Sequence, residues 1–552
     1  MSGSRADPVV VPSAAQKKSV CVIGCGASGL AVIKELTALG HSVRCFDENV
    51  RIGGVYTKSY DNTMLTTSSL LTAYSDYSDG KEDAPKFWTD EEYLAYLDGF
   101  ANEFGLYHHI QFRSTIRTVT KDAQTGKWIV ATYAFDAVAV CTGTNHWASL
   151  PEFPGQEAFL AAGGEIVHSN DYKQAQVYTG KRVLVVGAGE SGSDICKEIS
   201  DTATKVAIAI RDKHGHIIPR TQADGRVTDL NTNRCRYSNP YILGDWVGWA
   251  NQNAKWLVAK YFASDRPLQE RLVLQKIGEL NLLQKTSAFS KFGCKNEGFV
   301  TAMVTRGAEL HRDSFELGAK GATFADGTAF ACDAVACTGY RNSFPMFLDP
   351  TVRDDVLAPG LLACDVNGLG QNPRLLYKQV FCSKFRTGEL AFFGFARPAF
   401  GSIPPTAEMQ AKLFALVING DVALPPTADM DRIADADCRN WEGRFGYDGK
   451  RVKGLVDFQL YLDDLALQMG ALPPLAKLFF SEPRIWWKIM FGPFTTHQYI
   501  LVGPFADRAR ALAVYAKQPV GDLLECSITA AFLVCAKVLS LMGFSKFTPN
   551  NF

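Results

Sequence analysis

The chain lacks a net charge: its 57 Lys and Arg side chains equal its 57 Asp and Glu. That leaves no basic footprint for a phosphate backbone, so no nucleic-acid partner is expected. A redox cysteine pair is missing too. Fourteen cysteines run from Cys21 to Cys535, yet none falls in a CxxC or beside histidine at zinc spacing. Disulfide-reductase chemistry is thereby excluded, and no metal centre is expected. Cys45, Cys141 and Cys337 sit inside apolar runs, where buried reduced thiols are the usual occupants. Long apolar runs are scarce. Residues 1–18 hold only the short run Val9–Pro12, too little for a signal-peptide core, and read as a disordered arm. In the tail 516–552, Ser527–Phe544 is a run of 18 residues with one charge, Lys537. A lysine in mid-span costs roughly 2.5–3.5 kcal/mol. The run therefore reads as a helix lying in a membrane interface or packed on the protein, with a span as the alternative.

What is present is length, apolar content and glycine. The 552 residues suffice for two or three cores, 47% of them are apolar, and 47 are glycine, as suits tight strand-to-helix turns. Two segments repeat a strand–turn–helix–strand pattern, the βαβ unit. In the first, Ser19–Ile23 ends at Gly24, an apolar helical pattern follows through Leu36, and Val43–Phe46 ends at Asp47. In the second, Arg182–Val186 ends at Gly187, Ile195–Ile199 continues a helix, and Lys205–Ile210 ends at Arg211. The expected class is therefore α/β, with two Rossmann-type dinucleotide-binding domains. Between them, Arg113–Val140 reads as short alternating strands turning at Thr125–Gly126. Arg220–Val300 breaks the rhythm and reads as an inserted, mainly helical segment, in which Tyr241–Phe262 carries Trp246, Trp249 and Trp256.

Gly24-Cys25-Gly26-Ala27-Ser28-Gly29 is a GxGxxG at a strand end. Gly24 permits the turn, Gly26 admits a pyrophosphate to the backbone, and Gly29 lets helix and strand approach. The amides that open the helix then face the anion. Asp47, 18 positions after Gly29, stands where a ribose hydroxyl needs an acceptor; Glu48 is the alternative. Gly53, Gly54, Val55 and Tyr56 come next, a backbone suited to passing close to the cofactor, with an aromatic where an isoalloxazine would lie. The second fingerprint, Gly187-Ala188-Gly189-Glu190-Ser191-Gly192, leads into Ser193 and Asp194. Arg211 beyond its second strand suits a 2′-phosphate and favours NADPH over NADH, with Lys213 and Arg220 adding charge, although Asp212 could serve a plain ribose. Two nucleotide sites with different chemistry imply a bound flavin and a hydride donor.

Together these residues resemble a known family, the flavin-containing monooxygenases of the N- and S-oxygenating class B type. The likeness runs from about Val20 to about Ala513. IGCGASGLAVIKEL resembles the family's FAD fingerprint, and CFDENVRIGGVY its acceptor strand and glycine pair. Tyr74–Tyr77 resembles its FSDF segment, FDAVAVCTG its closing strand, and VLVVGAGESGSDI its NADPH fingerprint. The motif FxGxxxHxxx(Y/F) reads Ala162, Gly164, His168, Tyr172, its Phe replaced, with His168 expected in a structural turn. Ala336–Tyr340 resembles the ATGY hinge, so Thr338, Gly339 and Tyr340 join the cofactor residues, and LYKQVF, GSIPPTAEMQAKL and FGPFTTHQYILVGP resemble the C-terminal half. One departure stands out. The family's asparagine near the flavin is replaced by Thr67 in Leu65–Ser69, and a hydroxyl lacks the amide's second donor.

The resemblance implies FAD and NADPH as cofactors, O2 and a soft amine or thioether as substrates, and oxygen transfer from a C4a-hydroperoxyflavin with Thr66 and Thr67 beside it. Its rivals are a Baeyer–Villiger monooxygenase and an uncoupled NADPH oxidase or redox sensor. It also implies a cytoplasmic-side enzyme attached to the endoplasmic reticulum membrane through the tail, and is compatible with a dimer. The layout expected is an FAD domain over 19–176 and 341–515, and an NADPH domain over 177–340 with an insertion at about 221–300. The arginine assignment is testable: Arg211→Ala should weaken NADPH at least about 10-fold more than NADH, since one charge-assisted contact is worth about 1.5–3 kcal/mol. Equal losses in the two Michaelis constants would show that no 2′-phosphate is read there.

Overall fold

The structure is a computed structural model. It describes residues 16–145, 147–210, 216–222, 225–235, 266–282, 293–336, 339–341, 347–350, 352, 372–451 and 454–520. The tail run 527–544, the tryptophan-bearing stretch 241–262, Arg211 and Thr338 lie outside these. Among the described residues no helix is long and apolar enough to cross a membrane. The ten described cysteines are all buried and free of disulfides.

The chain divides into two compact units, with boundaries after residues 57, 68, 146 and 341. Each is built on a five-stranded parallel sheet. The first sheet runs, edge to edge, Leu390–Phe392, Ala137–Val140, Ser19–Ile23, Ser42–Phe46 and Ile110–Gln111. The second runs Ile166–His168, Asp333–Ala336, Arg182–Val186, Lys205–Ala209 and Glu309–His311. In both, the strand preceding the glycine turn is central, flanked by the strand that follows its helix. This is the doubly wound α/β class that the two βαβ patterns announce.

The boundary differs from the sequence expectation in two places. Ile166–His168 pairs in parallel with Asp333–Ala336 as an edge strand of the second sheet, and residues 147–176, which contain it, fall in the second unit rather than in the first domain. Residues 58–68 fall in the second unit as well; Asp61 N–H donates to Lys173 O at 2.9 Å. Neither tie is visible locally, because each joins stretches more than 100 residues apart.

Packing explains the composition of the strands. In the second sheet, Val183 and Val185 pack with Ile195, Ile199 and Phe299 on one face, while Leu184 packs with Phe159, Phe324 and Phe330 on the other. A parallel strand covered on both faces needs apolar residues at every position, as RVLVV supplies. In the first unit, Trp128 is fully buried among Phe46, Val140, Leu390 and Phe392. It lies on the small antiparallel sheet of Val119–Lys121, Trp128–Val130 and Tyr133–Phe135, the alternating strands expected in 113–140. Asp122 and Lys127 close its turn: Asp122 N–H donates to Lys127 O, and Gly126 N–H to Asp122 O. Of the expected helical insertion, Leu268–Leu282 and Gly298–Arg306 are described helices.

Trp128→Ala should lower stability by about 3–5 kcal/mol, the usual cost of truncating a buried large aromatic. Phe480→Ala, at a side chain 84% exposed, should stay within about 0.5 kcal/mol. Urea unfolding of the FAD-loaded protein measures both, and equal midpoint shifts would refute the placement of the core.

Candidate dinucleotide sites

Both glycine turns follow one backbone path. Gly24 and Gly187 have φ of 99° and 100°, a left-handed region that side chains avoid. Gly24 N–H donates to Phe46 O at 2.8 Å, and Gly187 N–H to Ala209 O at 2.8 Å. The N-cap glycines, Gly26 and Gly189, have ψ of −172° and −173°. Their carbonyls accept the first helical bonds, from Leu30 N–H at 3.0 Å and Ser193 N–H at 2.9 Å. Neither cap is closed by a side chain, so a phosphate can take the orphan amides at either helix start.

In the first unit the roles of the three glycines are geometric. A Cβ on Gly24 would stand 2.6 Å from Cys141 O, and one on Gly29 1.9 Å from Gly24 O. On Gly26 it would meet Gly54 Cα at 3.4 Å, so the post-strand glycine pair borders the turn as the cofactor path requires. Asp47 is buried, 6% exposed. Its Oδ2 accepts Cys25 N–H at 2.7 Å, and its Oδ1 accepts Asn49 N–H at 2.7 Å and Asn49 Nδ2–H at 2.9 Å. Oδ2 thus retains a lone pair for a ribose hydroxyl. Glu48 is exposed. Val55 is 47% exposed, and Tyr56 packs edge-on against Tyr93 at 4.9 Å, both on the short turn of helix Gly54–Lys58.

Behind this turn lies a buried charge cluster that sequence reading missed. Ala27 and Ser28 open the helix Ala27–Ala38, and Tyr74 O–H donates to Ala27 O at 2.8 Å. The next residue, Ser75, donates its N–H to both oxygens of Glu408 at 3.0 Å. Lys412 Nζ donates to Glu408 Oε1 at 2.7 Å and to Ser75 Oγ at 2.6 Å. Lys34 bonds Glu35 at 3.0 Å and also Asp76. Glu35, Asp76 and Glu408 come close enough to suggest a metal. Two ammonium groups are already bonded to them, however, so the cluster reads as a near-balanced ion network. Burial pushes the Glu35 carboxyl up to about 7, which lowers the cost of its position. A signal existed: Glu408 and Lys412 are an i, i+4 pair within Ile403–Asn419, a helix buried at 15 of its positions.

In the second unit, nothing would meet a Cβ on Gly189 within 4 Å, which leaves room for a pyrophosphate. Ser191 lines this turn half-buried, while Gly192 and Ser193 are buried against the sheet. Glu190 Oε1 accepts Lys295 N–H at 2.7 Å, and burial pushes its carboxyl up to about 7. Register shows that Ile210, not Arg211, is the counterpart of Asp47, since Ala209 matches Phe46 in the turn bond. Ile210 is 5% exposed and offers no carboxylate to repel a 2′-phosphate. Arg220, expected to add positive charge nearby, bonds Asp194 Oδ1 through its guanidinium at 3.4 Å and Glu297 through its backbone N–H at 3.1 Å.

Thr66 and Thr67 lie on strand Met64–Ser68, with Thr67 6% exposed. In the segment that resembles the ATGY motif, Gly339 O accepts Ser149 N–H at 2.9 Å and lies 2.9 Å from His168 Nε2. His168 Nδ1 accepts Asn170 N–H at 3.1 Å, which assigns Nε2 as the donor. Tyr340 packs edge-on to the His168 ring at 5.4 Å. Both ring nitrogens are thus engaged by backbone, which fits the structural role expected of His168.

Gly29→Ala should drive helix and turn apart and lower FAD content at least about 10-fold, because the clash is with backbone. A Gly29→Ala protein that keeps full flavin absorbance would refute the close approach.

Comparison with known proteins agrees with this geometry. Residues 17–518 match the Flavin-binding monooxygenase-like family. A 4-hydroxybenzoate brominase (decarboxylating) of Pseudoalteromonas luteoviolacea is 31% identical, over 88% of this chain and 90% of that protein. The N-oxide-forming dimethylaniline monooxygenase 4 of Homo sapiens is 30% identical, over 88% and 85%. Among solved structures, S-allyl-L-cysteine S-oxygenase from Allium sativum aligns at a TM-score of 0.56 and 20% identity, over 92% of this chain and 99% of that one. Cyclohexanone monooxygenase from Rhodococcus sp. Phi1 bound to NADP+ aligns at 0.58 and 18%, over 82% and 97%. With two turns fit for dinucleotides and a family match across nearly its whole length, this chain belongs to the flavin-binding monooxygenases, oxidoreductases whose cofactors are FAD and NADPH.

Proposed function

We propose that the protein is an NADPH-dependent N- or S-oxygenase of soft amines and thioethers. The observation that carries the reading is the asymmetry of two otherwise superposable turns. The first ends its second strand in a buried carboxylate, Asp47, suited to a ribose diol; the second ends in Ile210, which leaves a 2′-phosphate unopposed. Such a pair suits FAD in the first turn and NADPH in the second. When bound, the flavin supplies the redox chemistry that converts O2 into an oxygen donor.

The chain's own residues bind and orient. The amides at the start of Ala27–Ala38 and Glu190–Ser200 take the two pyrophosphates. Tyr74, through Ala27 O, holds the first helix start in place, and Glu190, bonded by Lys295 N–H, shapes the second. Thr66 and Thr67 offer hydroxyls where the family resemblance sets the reacting end of the flavin. An amine or sulfide needs no general base, since its own lone pair attacks; none of the residues above is assigned that role. The relatives' names support the same class, because one is N-oxide-forming and another an S-oxygenase. The brominase relative, equally similar in sequence, favours a second reading, in which a phenolic acid is the substrate.

The test offers an N,N-dialkylaniline, an alkyl aryl thioether, cyclohexanone, and 4-hydroxybenzoate with bromide, and scores product, NADPH consumed and H2O2 released. Amine and thioether should give N-oxide and sulfoxide at no less than about half the NADPH consumed, and at kcat/KM at least about 10-fold above the ketone. Ketone turnover alone, brominated phenol alone, or H2O2 equal to all NADPH consumed would each overturn the reading.

A further inference from the structure

Within the second unit, strand Met64–Ser68 and the second fingerprint helix Glu190–Ser200 are more than 100 residues apart in sequence. A run of buried polar groups joins them. It starts at the helix: Glu190 Oε1 accepts the backbone N–H of Lys295 at 2.7 Å. Asn296 Nδ2 donates to Asp194 Oδ1 at 2.5 Å, and Ser193 Oγ donates to Asn296 O at 3.2 Å. Gly298 completes the clamp, because a Cβ there would stand 2.6 Å from Ser193 O. The segment Lys295–Gly298 is thus fixed to the first turns of the helix.

From that segment the Lys295 side chain reaches inward. Its ammonium is paired with Asp229 Oδ1, and the two residues are 8% and 0% exposed. Asp229 Oδ2 accepts Ser68 N–H at 2.6 Å, at the end of strand Met64–Ser68. A second tie runs beside it, since Tyr60 O–H donates to Asp194 Oδ2 at 3.0 Å. A buried ion pair is weak evidence of stabilisation, because desolvation offsets the attraction. This one does something an apolar pair could not: the carboxylate has one oxygen for the ammonium and one for a backbone amide of the strand.

We propose that Lys295 and Asp229 are positioning residues that carry occupancy of the second fingerprint by NADP+ to strand Met64–Ser68, and so hold Thr66 and Thr67 in one register once the nucleotide is seated. The proposal rests on the assignment of NADPH to that fingerprint. A pyrophosphate at the start of Glu190–Ser200 would stiffen the helix start to which Lys295–Gly298 is already bonded, and the Lys295–Asp229 pair passes that added rigidity to the Ser68 amide. Such coupling needs contiguous groups that both sites bias, which is what the chain of bonds provides.

The test is hydrogen–deuterium exchange on the FAD-loaded full-length protein with and without NADP+, followed in peptides covering 60–70. In the wild type, NADP+ should slow exchange at Ser68 about 10-fold. In Lys295→Met that protection should vanish, while calorimetry shows NADP+ affinity within about 3-fold of wild type. Lys295→Arg, which can still reach the carboxylate, should recover it, and Asp229→Asn should behave as Lys295→Met does. NADP+ that binds wild type without protecting Ser68 overturns this proposal alone, as does protection that survives in Lys295→Met or Asp229→Asn. NADP+ that does not bind wild type removes the nucleotide assignment, and this proposal with it.

Discussion

A dinucleotide demands that backbone amides, not side chains, meet its pyrophosphate, and that demand shapes the rest of the molecule. The chain must leave a strand, reverse through a left-handed residue and open a helix within a few positions. Only glycine does so at Gly24 and Gly187, whose φ values differ by one degree. Everything nearby is then constrained. The strand must be central, so that its neighbours can accept the turn's N–H, and the helix must lie close, so that Gly29 meets Gly24 O. The apolar strands RVLVV and SVCVI follow from that centrality, because a central parallel strand is covered on both sides.

The two turns do the same backbone work with different surroundings. In the first unit the supports are ionic: Glu408, Lys412, Ser75, Asp76, Lys34 and Glu35 tie the Tyr74–Tyr77 segment to the fingerprint helix and to Ile403–Asn419. Removing one member of such a network would strand buried charge, at a cost of about 3–5 kcal/mol. In the second unit the supports converge on Asp194, which accepts from Tyr60, Arg220 and Asn296. Its Oδ1 takes the Arg220 and Asn296 bonds and its Oδ2 the Tyr60 bond.

Sequence reading reached what is local. The strand bounds Ser19–Ile23 and Arg182–Val186 agree residue for residue, because apolar runs cut by glycine leave little choice. Asp47 was legible as well, since spacing alone puts it at the strand end. What stayed hidden was non-local. Glu408 meets Ser75 across 333 residues, and Lys295 meets Asp229 across 66, so no pattern window contains either. The domain boundary failed for the same reason: Ile166–His168 chooses its sheet by pairing with a strand near residue 335. The equivalence of Ile210, rather than Arg211, with Asp47 needed a hydrogen-bond register that a strand's apolar run does not display.

The central claim is that the two turns hold a flavin and its reductant in one protein. Its most direct measurement is anaerobic: purified protein carrying its flavin is mixed with NADPH and the flavin absorbance is followed. Bleaching of one FAD per chain by one NADPH, with NADH far slower, is the predicted result. A polypeptide that takes up no FAD, or whose bound flavin stays oxidised under excess NADPH, would contradict the claim.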